Sequence, residues 1–230
     1  MPLKQSKGNM YDWVSHTHAH LGGECSHKCK YCYVDNPLHG RPANFTGPIR
    51  LIESEFNVNY GEDKTIFIEH MNDLFADDVP NDFIRRIISH CNLFPKNTYV
   101  FQTKNPHRYA DWFDFFPFPS FLGTTIETNR EIAGISNAPL PIDRYKGMLY
   151  GHAKLFPRFV TIEPVLDFDV DILAGWIRDI KPTFINLGAD SKNHNLPEPT
   201  VEKIMQLVSK LKEYDIDLKE KHNLQRLVQK

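Results

Sequence analysis

The chain has 230 residues, enough for one substantial core and short for two full-sized domains. Lys and Arg total 27 against 29 for Asp and Glu, with 41% hydrophobic and 24% charged residues. This balance excludes a disordered chain, a histone-like nucleic-acid wrapper and a strongly acidic tail, and leaves room for a local basic patch. The opening MPLKQSKGNM lacks the apolar stretch of a secretory signal, and no segment is apolar for a bilayer's width. The expectation is a cytoplasmic protein with residues 1–230 in a single domain.

Taken in chain order, β-rich runs alternate with amphipathic stretches. The runs are Trp13 to His20, Thr65 to Glu69, Thr98 to Thr103, Phe121 to Ile126, Phe159 to Glu163 and Thr183 to Leu187. Helical faces are marked by Phe83, Ile84, Ile87, Ile88 and Cys91; by Leu173, Trp176, Ile177 and Ile180; and by Val201, Ile204, Met205, Val208 and Leu211. Pro199 and Thr200 open the last of these. Six strands separated by crossovers predict an α/β fold, a parallel sheet with helices outside. Eight units would need roughly 250 residues in a closed barrel, so a partial (βα)6 barrel is expected. The segment from about 214 to 230 is left as a last strand, a lid or a tail.

In parallel βα folds chemistry sits at the C-terminal strand ends. Here those ends are polar: Gly22-Gly23-Glu24, Glu69 to Asp73, Gln102 to Asn105, Thr124 to Asn129, Thr161 to Pro164, and Asn186 to Asp190. Together they suggest a polar ligand rim.

Three of the four cysteines, Cys25, Cys29 and Cys32, fall within eight residues with C-x3-C-x2-C spacing. Three thiolates on one loop can each hold one iron of a cubane, leaving the fourth iron for a small molecule. A structural zinc site that adds His20 or His27 is the plainer alternative, although zinc sites usually pair their C-x2-C ligands. Cys91 completes an apolar helix face and reads as a buried core thiol.

The cysteine spacing, with Tyr31 just before the third cysteine, resembles the signature of the radical S-adenosylmethionine (SAM) superfamily. The segments IFIEHMNDLF, VFQTKNP, LGTTIETN, FVTIEPVL and INLGADS resemble a phage-associated radical SAM family of uncharacterised function, from about Trp13 to near Leu224. The cysteine loop is also distantly similar to that of spore photoproduct lyase, a DNA-repair member. The resemblance implies a [4Fe-4S] cluster held by Cys25, Cys29 and Cys32, reductive cleavage of SAM, an external electron donor, and hydrogen abstraction by a 5′-deoxyadenosyl radical. One departure lies ahead of the first cysteine, where His16-Thr-His18-Ala-His20 replaces the family's Trp-Asn-Pro-like entry.

The superfamily's SAM pattern implies Tyr31 against the adenine. The usual Gly-Gly-Glu that grips the methionyl ammonium is missing, so Glu69, Asn72 or Asp73 would supply the acceptor. Lys104, or Thr124, would meet the methionyl carboxylate; Glu127 and Asn129 the ribose; and Gly188 would admit the adenine to the backbone. For each polar residue a cap or turn role is the competing reading.

His16, His18 and His20 alternate, so on a strand they share a face. Lining the barrel interior is the favoured role, ahead of a second metal site. His70 also falls on the rim. Arg144, Tyr145, Lys146, Tyr150, Lys154 and Arg158 mix basic and aromatic residues, as a nucleic-acid surface or a solvated helix would. Phe113, Phe115, Phe116, Phe118 and Phe121, with Pro117 and Pro119, are expected to plug the barrel bottom or pack a core, with a partner-docking patch as the alternative. A nucleotide or nucleic acid is the favoured substrate, with a peptide or protein partner next. Two non-catalytic readings stand beside these: a zinc-stabilised binding module, and a radical SAM fold retained as a regulatory binder.

Overall fold

A computed structural model describes residues 3–7, 10–35, 40–150 and 155–228. Its framework is an eight-stranded sheet in the order β1 (Lys4–Gln5), β2 (His16–His18), β5 (Thr65–Ile68), β6 (Thr98–Thr103), β7 (Ser120–Thr125), β8 (Arg158–Ile162), β9 (Phe184–Leu187) and β10 (Asp217–Glu220). From β2 to β10 each strand pairs parallel with its neighbour; only β1 runs antiparallel, Lys4 opposite Thr17. A separate short pair joins β3 (Leu21–Gly22) to β4 (Arg50–Leu51). All six predicted runs contain a parallel strand, and β10 adds a seventh from the C-terminal segment left open by the sequence. Two turns of helix follow it and bury Leu224 and Leu227.

Period-two alternation divides each strand between two cores. One side carries Ile66, Ile68, Tyr99, Phe101, Leu122, Val160, Ile162, Ile185 and Leu187 into the large core. Four helices share that core: α1 (Asn81–Asn92), α2 (Pro141–Tyr150), α3 (Val170–Ile180) and α4 (Val201–Glu213). A run of 3-10 helix, Pro106–Phe115, covers the crossover from β6 to β7. The apolar faces of α1 and α3 are those predicted. On α4, Met205 is exposed and Leu207 takes the buried place, because 3.6-residue spacing turns Met205 away from Ile204, Val208 and Leu211. Thr200 caps α4, its side chain accepting from Lys203 N. Among the described residues no helix is long and apolar enough to cross a membrane.

The other side of the strands carries Phe67, Val100, Phe159 and Phe184, packed with Tyr11 and Val14 and flanked by Met10, Trp13 and Phe121. The segment between β1 and β2 therefore fills this interior, with Tyr11 stacked on Trp13 and Trp13 edge-on to Phe159 and Phe184. The phenylalanine-rich loop is divided, part of it packing as expected and part exposed. Only Phe121 joins the interior cluster; Phe116 lies in the helix-side core, and Phe115 and Phe118 are exposed. Gly123 makes the packing possible, since a Cβ there would overlap the Phe159 ring.

The histidine expectation is also corrected. In β2 it is Thr17 that pairs with inward Phe67, so His16 and His18 share the face of Ile66 and Ile68. His18 and His20 pack edge to face, His18 against Tyr60 and His20 against Phe56 and His90, in the layer beneath α1. His16 does not join them and contacts Ser15 at the surface.

Candidate functional site

The chain enters the cysteine loop through Gly22 and Gly23. Gly23 has φ +88°, and a Cβ there would collide with the Pro48 carbonyl, so only glycine fits the turn. Residues just past β5 hold this entry in place. Glu69 takes left-handed backbone (φ 60°), and its carboxylate accepts from His20 N at 2.7 Å, His20 Nδ1 at 2.9 Å and Leu21 N at 3.1 Å. Asn72 donates through Nδ2 to Leu21 O (3.1 Å) and Gly23 O (3.4 Å). Asp73 accepts from Phe75 N, Thr103 Oγ1 (2.6 Å) and Lys104 N (2.7 Å), and pairs with His27 Nε2 at 2.9 Å. Of the three ammonium acceptors named from sequence, Glu69 and Asp73 are thus engaged in bracing the loop. Asn72 differs: its Oδ1 is buried and has no hydrogen-bond partner among the described residues.

The far side of the loop is tied to the segment after β7. His27 O accepts from Asn137 N at 2.7 Å, and Lys30 N donates to Ile135 O at 2.8 Å. Cys25, Cys29 and Cys32 are free thiols of intermediate exposure. Burial, reinforced by Asp73, pushes the Cys25 thiol up to about 12. Burial also raises Cys29, against the pull of nearby Lys104. Both are therefore thiols at neutral pH until a cationic centre takes the proton's place.

Beside Cys29 lies a compact charged group. Tyr31 OH donates to Glu127 Oε1, which also accepts from Lys104 Nζ at 2.6 Å; Arg144 Nη1 donates to Glu127 Oε2 at 2.5 Å. Lys104 lies 5.1 Å from the Tyr31 ring centre. Glu127 and Arg144 are buried and Lys104 nearly so. Burial works against the Glu127 charge, yet the two cations hold its pKa down to about 2. The set carries two positive charges for one negative, an environment suited to anionic sulfur or to a ligand carboxylate.

Three sequence candidates fall outside this group. Thr124 shares the helix-facing side with Leu122 and Ile126 and donates to Thr103 O at 2.8 Å. Asn129 bonds Asp169 N and Oδ2 at the start of α3. Gly188 lies on β9's inner face beside Glu163 and Asn223. His70 has its Nδ1 3.4 Å from His18 O, and its own carbonyl accepts from Tyr33 OH. The basic-aromatic stretch is dispersed as well: Arg144 turns inward, Tyr145 stacks on Trp176 at 4.9 Å, and Arg158 donates to Met148 O. Lys154 lies outside the described residues. Arg144 is the site residue missed from sequence as a partner of Glu127, because nothing local announces a contact made between α2 and the end of β7.

A family model described as "Protein of unknown function (DUF5131)" matches residues 9–178. The chain belongs to that family. The description carries no function and no phage association. No curated protein matches the DUF5131 chain. Its architecture is similar to solved structures of two enzymes. A spore photoproduct lyase mutant with bound AdoMet and dinucleoside spore photoproduct aligns at TM-score 0.58 and 11% identity, covering 94% of this chain and 67% of that one. Spore photoproduct lyase complexed with the dinucleoside alone aligns at 0.64 and 11%, covering 93% and 78%. SuiB of Streptococcus suis bound to S-adenosylmethionine aligns at 0.53 and 11%, covering 87% of this chain and 48% of that one. This chain thus spans about half the length of SuiB. Both relatives are radical SAM enzymes, and the α/β fold is the one they share with this chain.

Proposed function

We propose that this DUF5131 chain is a radical SAM enzyme whose Cys25, Cys29 and Cys32 hold a site-differentiated [4Fe-4S] cluster. The observation that carries this reading is the convergence of the three-thiol loop with the Tyr31, Lys104, Glu127 and Arg144 group on the fold of spore photoproduct lyase and SuiB. The donor set fits: three soft thiols on one loop with no fourth beside them. Among the described residues no three His, Cys, Asp or Glu side chains gather closely enough to hold a single metal ion. Asn72 Oδ1, past the end of β5 and without a partner among the described residues, is an acceptor suited to a methionyl ammonium.

In this reading the cluster, held by Cys25, Cys29 and Cys32, would supply the electron for reductive cleavage of SAM, with reducing power from an external donor. The chain's residues bind, orient and exclude water. Lys104 takes the methionyl carboxylate, Tyr31 lies against the adenine, and Glu127 holds Lys104, Tyr31 and Arg144 at fixed angles. Engaged this way, Glu127 reaches the ribose only by giving up one of its partners; Thr124 and Asn129 are less suited than the sequence suggested. A nucleotide or nucleic-acid substrate is the favoured class, in keeping with the dinucleoside bound by spore photoproduct lyase. SuiB has been solved with a precursor peptide, so a peptide partner is the second reading.

The test is anaerobic reconstitution with iron and sulfide, reduction, and electron paramagnetic resonance with and without SAM, followed by assay for 5′-deoxyadenosine. A cubane signal that changes on adding SAM, with nucleoside product, supports the enzyme. A cubane that binds SAM without cleaving it indicates the regulatory binder. Zinc in place of iron and no cubane signal would overturn the reading in favour of the binding module.

A further inference from the structure

Arg144 reaches the charged group beside Cys29 from α2, and its side chain is only 3% exposed. The end of β7 and the turn into α2 hold the guanidinium between them. Nε donates to Pro139 O at 2.7 Å, and Nη1 donates to Thr125 O at 3.1 Å and to Glu127 Oε2 at 2.5 Å. Burial works against the Arg144 charge, yet Glu127 keeps its pKa above the usual guanidinium value. This grip divides the Glu127 carboxylate. Oε2 is given to Arg144, while Oε1 accepts from Lys104 Nζ at 2.6 Å and from the Tyr31 hydroxyl.

The division matters for Lys104. With Lys104 as its only counter-ion, Glu127 would form a neutral pair, and where water screens poorly the ammonium would stay with it. Arg144 already balances the Glu127 charge through Oε2, so the positive charge of Lys104 is surplus. Asp73 does not take up that surplus by a direct contact with the ammonium. It meets Lys104 through the backbone N, and it also accepts from Phe75 N and Thr103 Oγ1 and pairs with His27 Nε2.

We propose that Arg144 is a positioning residue: by supplying the counter-charge of Glu127 from the α2 side, it leaves the Lys104 ammonium free to trade Glu127 Oε1 for the methionyl carboxylate of SAM. The proposal rests on the functional reading above and deepens it, because it accounts for a lysine that already sits in an ion pair serving a second carboxylate. Arg144 acts through Glu127 and touches no ligand in this role. Its charge is what counts, and the guanidinium's fork fixes which carboxylate oxygen is left to Lys104.

The test is equilibrium dialysis of the reconstituted full-length protein with labelled SAM and with decarboxylated SAM, which keeps the nucleoside, sulfonium and amine and lacks the carboxylate. In Arg144→Met, SAM binding is expected to weaken about tenfold, since Glu127 then holds Lys104 alone, while the decarboxylated analogue binds as tightly as it does to the parent protein. Arg144→Lys returns the charge and should bring SAM affinity to within about threefold of the parent. Glu127 keeps Lys104 as a partner in both variants, so no buried charge is stranded. If Arg144→Met fails to fold, Arg144→Gln removes the charge and keeps a donor for the two carbonyls. Unchanged SAM affinity in the uncharged variant, an equal loss for SAM and its analogue, or no recovery in Arg144→Lys would overturn the role of Arg144. The parent protein separates this role from the reading beneath it. A parent that assembles no cubane or binds no SAM overturns both, whereas a parent that binds SAM, with variants that break the expected pattern, overturns the role of Arg144 alone.

Discussion

Lys104 and Glu127, at the ends of neighbouring strands, meet at 2.6 Å in a place from which water is largely excluded. A pair so buried gains little net stability over apolar neighbours, but breaking it leaves an uncompensated charge. The pair lies beside Cys29, and on the function proposed above it serves ligand binding as well as folding. Lys104→Ala is expected to weaken SAM binding about tenfold while the cluster's spectrum is retained. Equilibrium dialysis with labelled SAM on reconstituted protein checks this, and unchanged affinity would remove Lys104 from the site. Glu127→Gln would instead leave Lys104 and Arg144 without their counter-charge and cost about 3–5 kcal/mol in urea unfolding.

The four cysteines divide by role. Cys29→Ala is expected to abolish cubane assembly, read as iron and sulfide per chain and by paramagnetic resonance. Cys91, wholly buried on the inner face of α1, should leave assembly intact when replaced by alanine and cost only packing energy. An intact cubane in the Cys29 variant would refute the ligand assignment.

Acid should destabilise the fold through the imidazoles beneath α1. Burial holds His18 down to about 3 and His90 to about 4, each with His20 adding to the effect. Between pH 6.5 and these values the unfolded chain binds protons that the folded chain refuses, so stability falls as pH falls. Each imidazole that stays neutral contributes a slope approaching 1.4 kcal/mol per pH unit, on the order of the linkage limit. Urea midpoints at pH 7 and pH 5 measure it. The fall should shrink in His18→Gln, and a flat profile in the parent protein would contradict the assignment.

How much of this was readable in advance follows from which periodicities carry a sign. The six predicted strands and the faces of α1 and α3 stand out because β-branched runs and 3.6-residue spacing are local properties. Which side of a strand faces inward is not local. His16, His18 and His20 alternate correctly, but only the pairing of Thr17 with Phe67 decides that the odd-numbered position points in. β10 was hidden for a related reason. Its inward residues are Asp217 and Lys219, with Lys219 Nζ over the Phe184 ring and, just past the strand, Lys221 Nζ over Tyr11, so no hydrophobic alternation marks it. Of the candidate site, the cysteines, Tyr31, Lys104 and Glu127 could be named from sequence, and the structure brings Tyr31, Lys104 and Glu127 together beside Cys29. The site was illegible in Arg144, brought to the strand ends by a helix whose docking depends on the whole sheet.

The tightest steric demand inside the sheet lies at Gly123, in register with Phe159. The absence of a side chain on β7 lets the Phe159 ring cross toward Tyr11, Trp13 and Phe184. Gly123→Ala would drive a methyl into the ring, and the ring has little room to retreat because its neighbours are buried as well. Overpacking of this kind costs about 1–3 kcal/mol. The expected result is a lower urea midpoint with an unchanged m-value, together with retained iron binding, since the cysteine loop is braced from β5 rather than from this layer. Pairing the change with Phe159→Leu should recover part of the loss, because the smaller side chain vacates the space the methyl enters. If Gly123→Ala proved neutral on its own, the inner layer would have to be looser than the ring contacts imply, and Tyr11 and Trp13 would be packing against a movable partner.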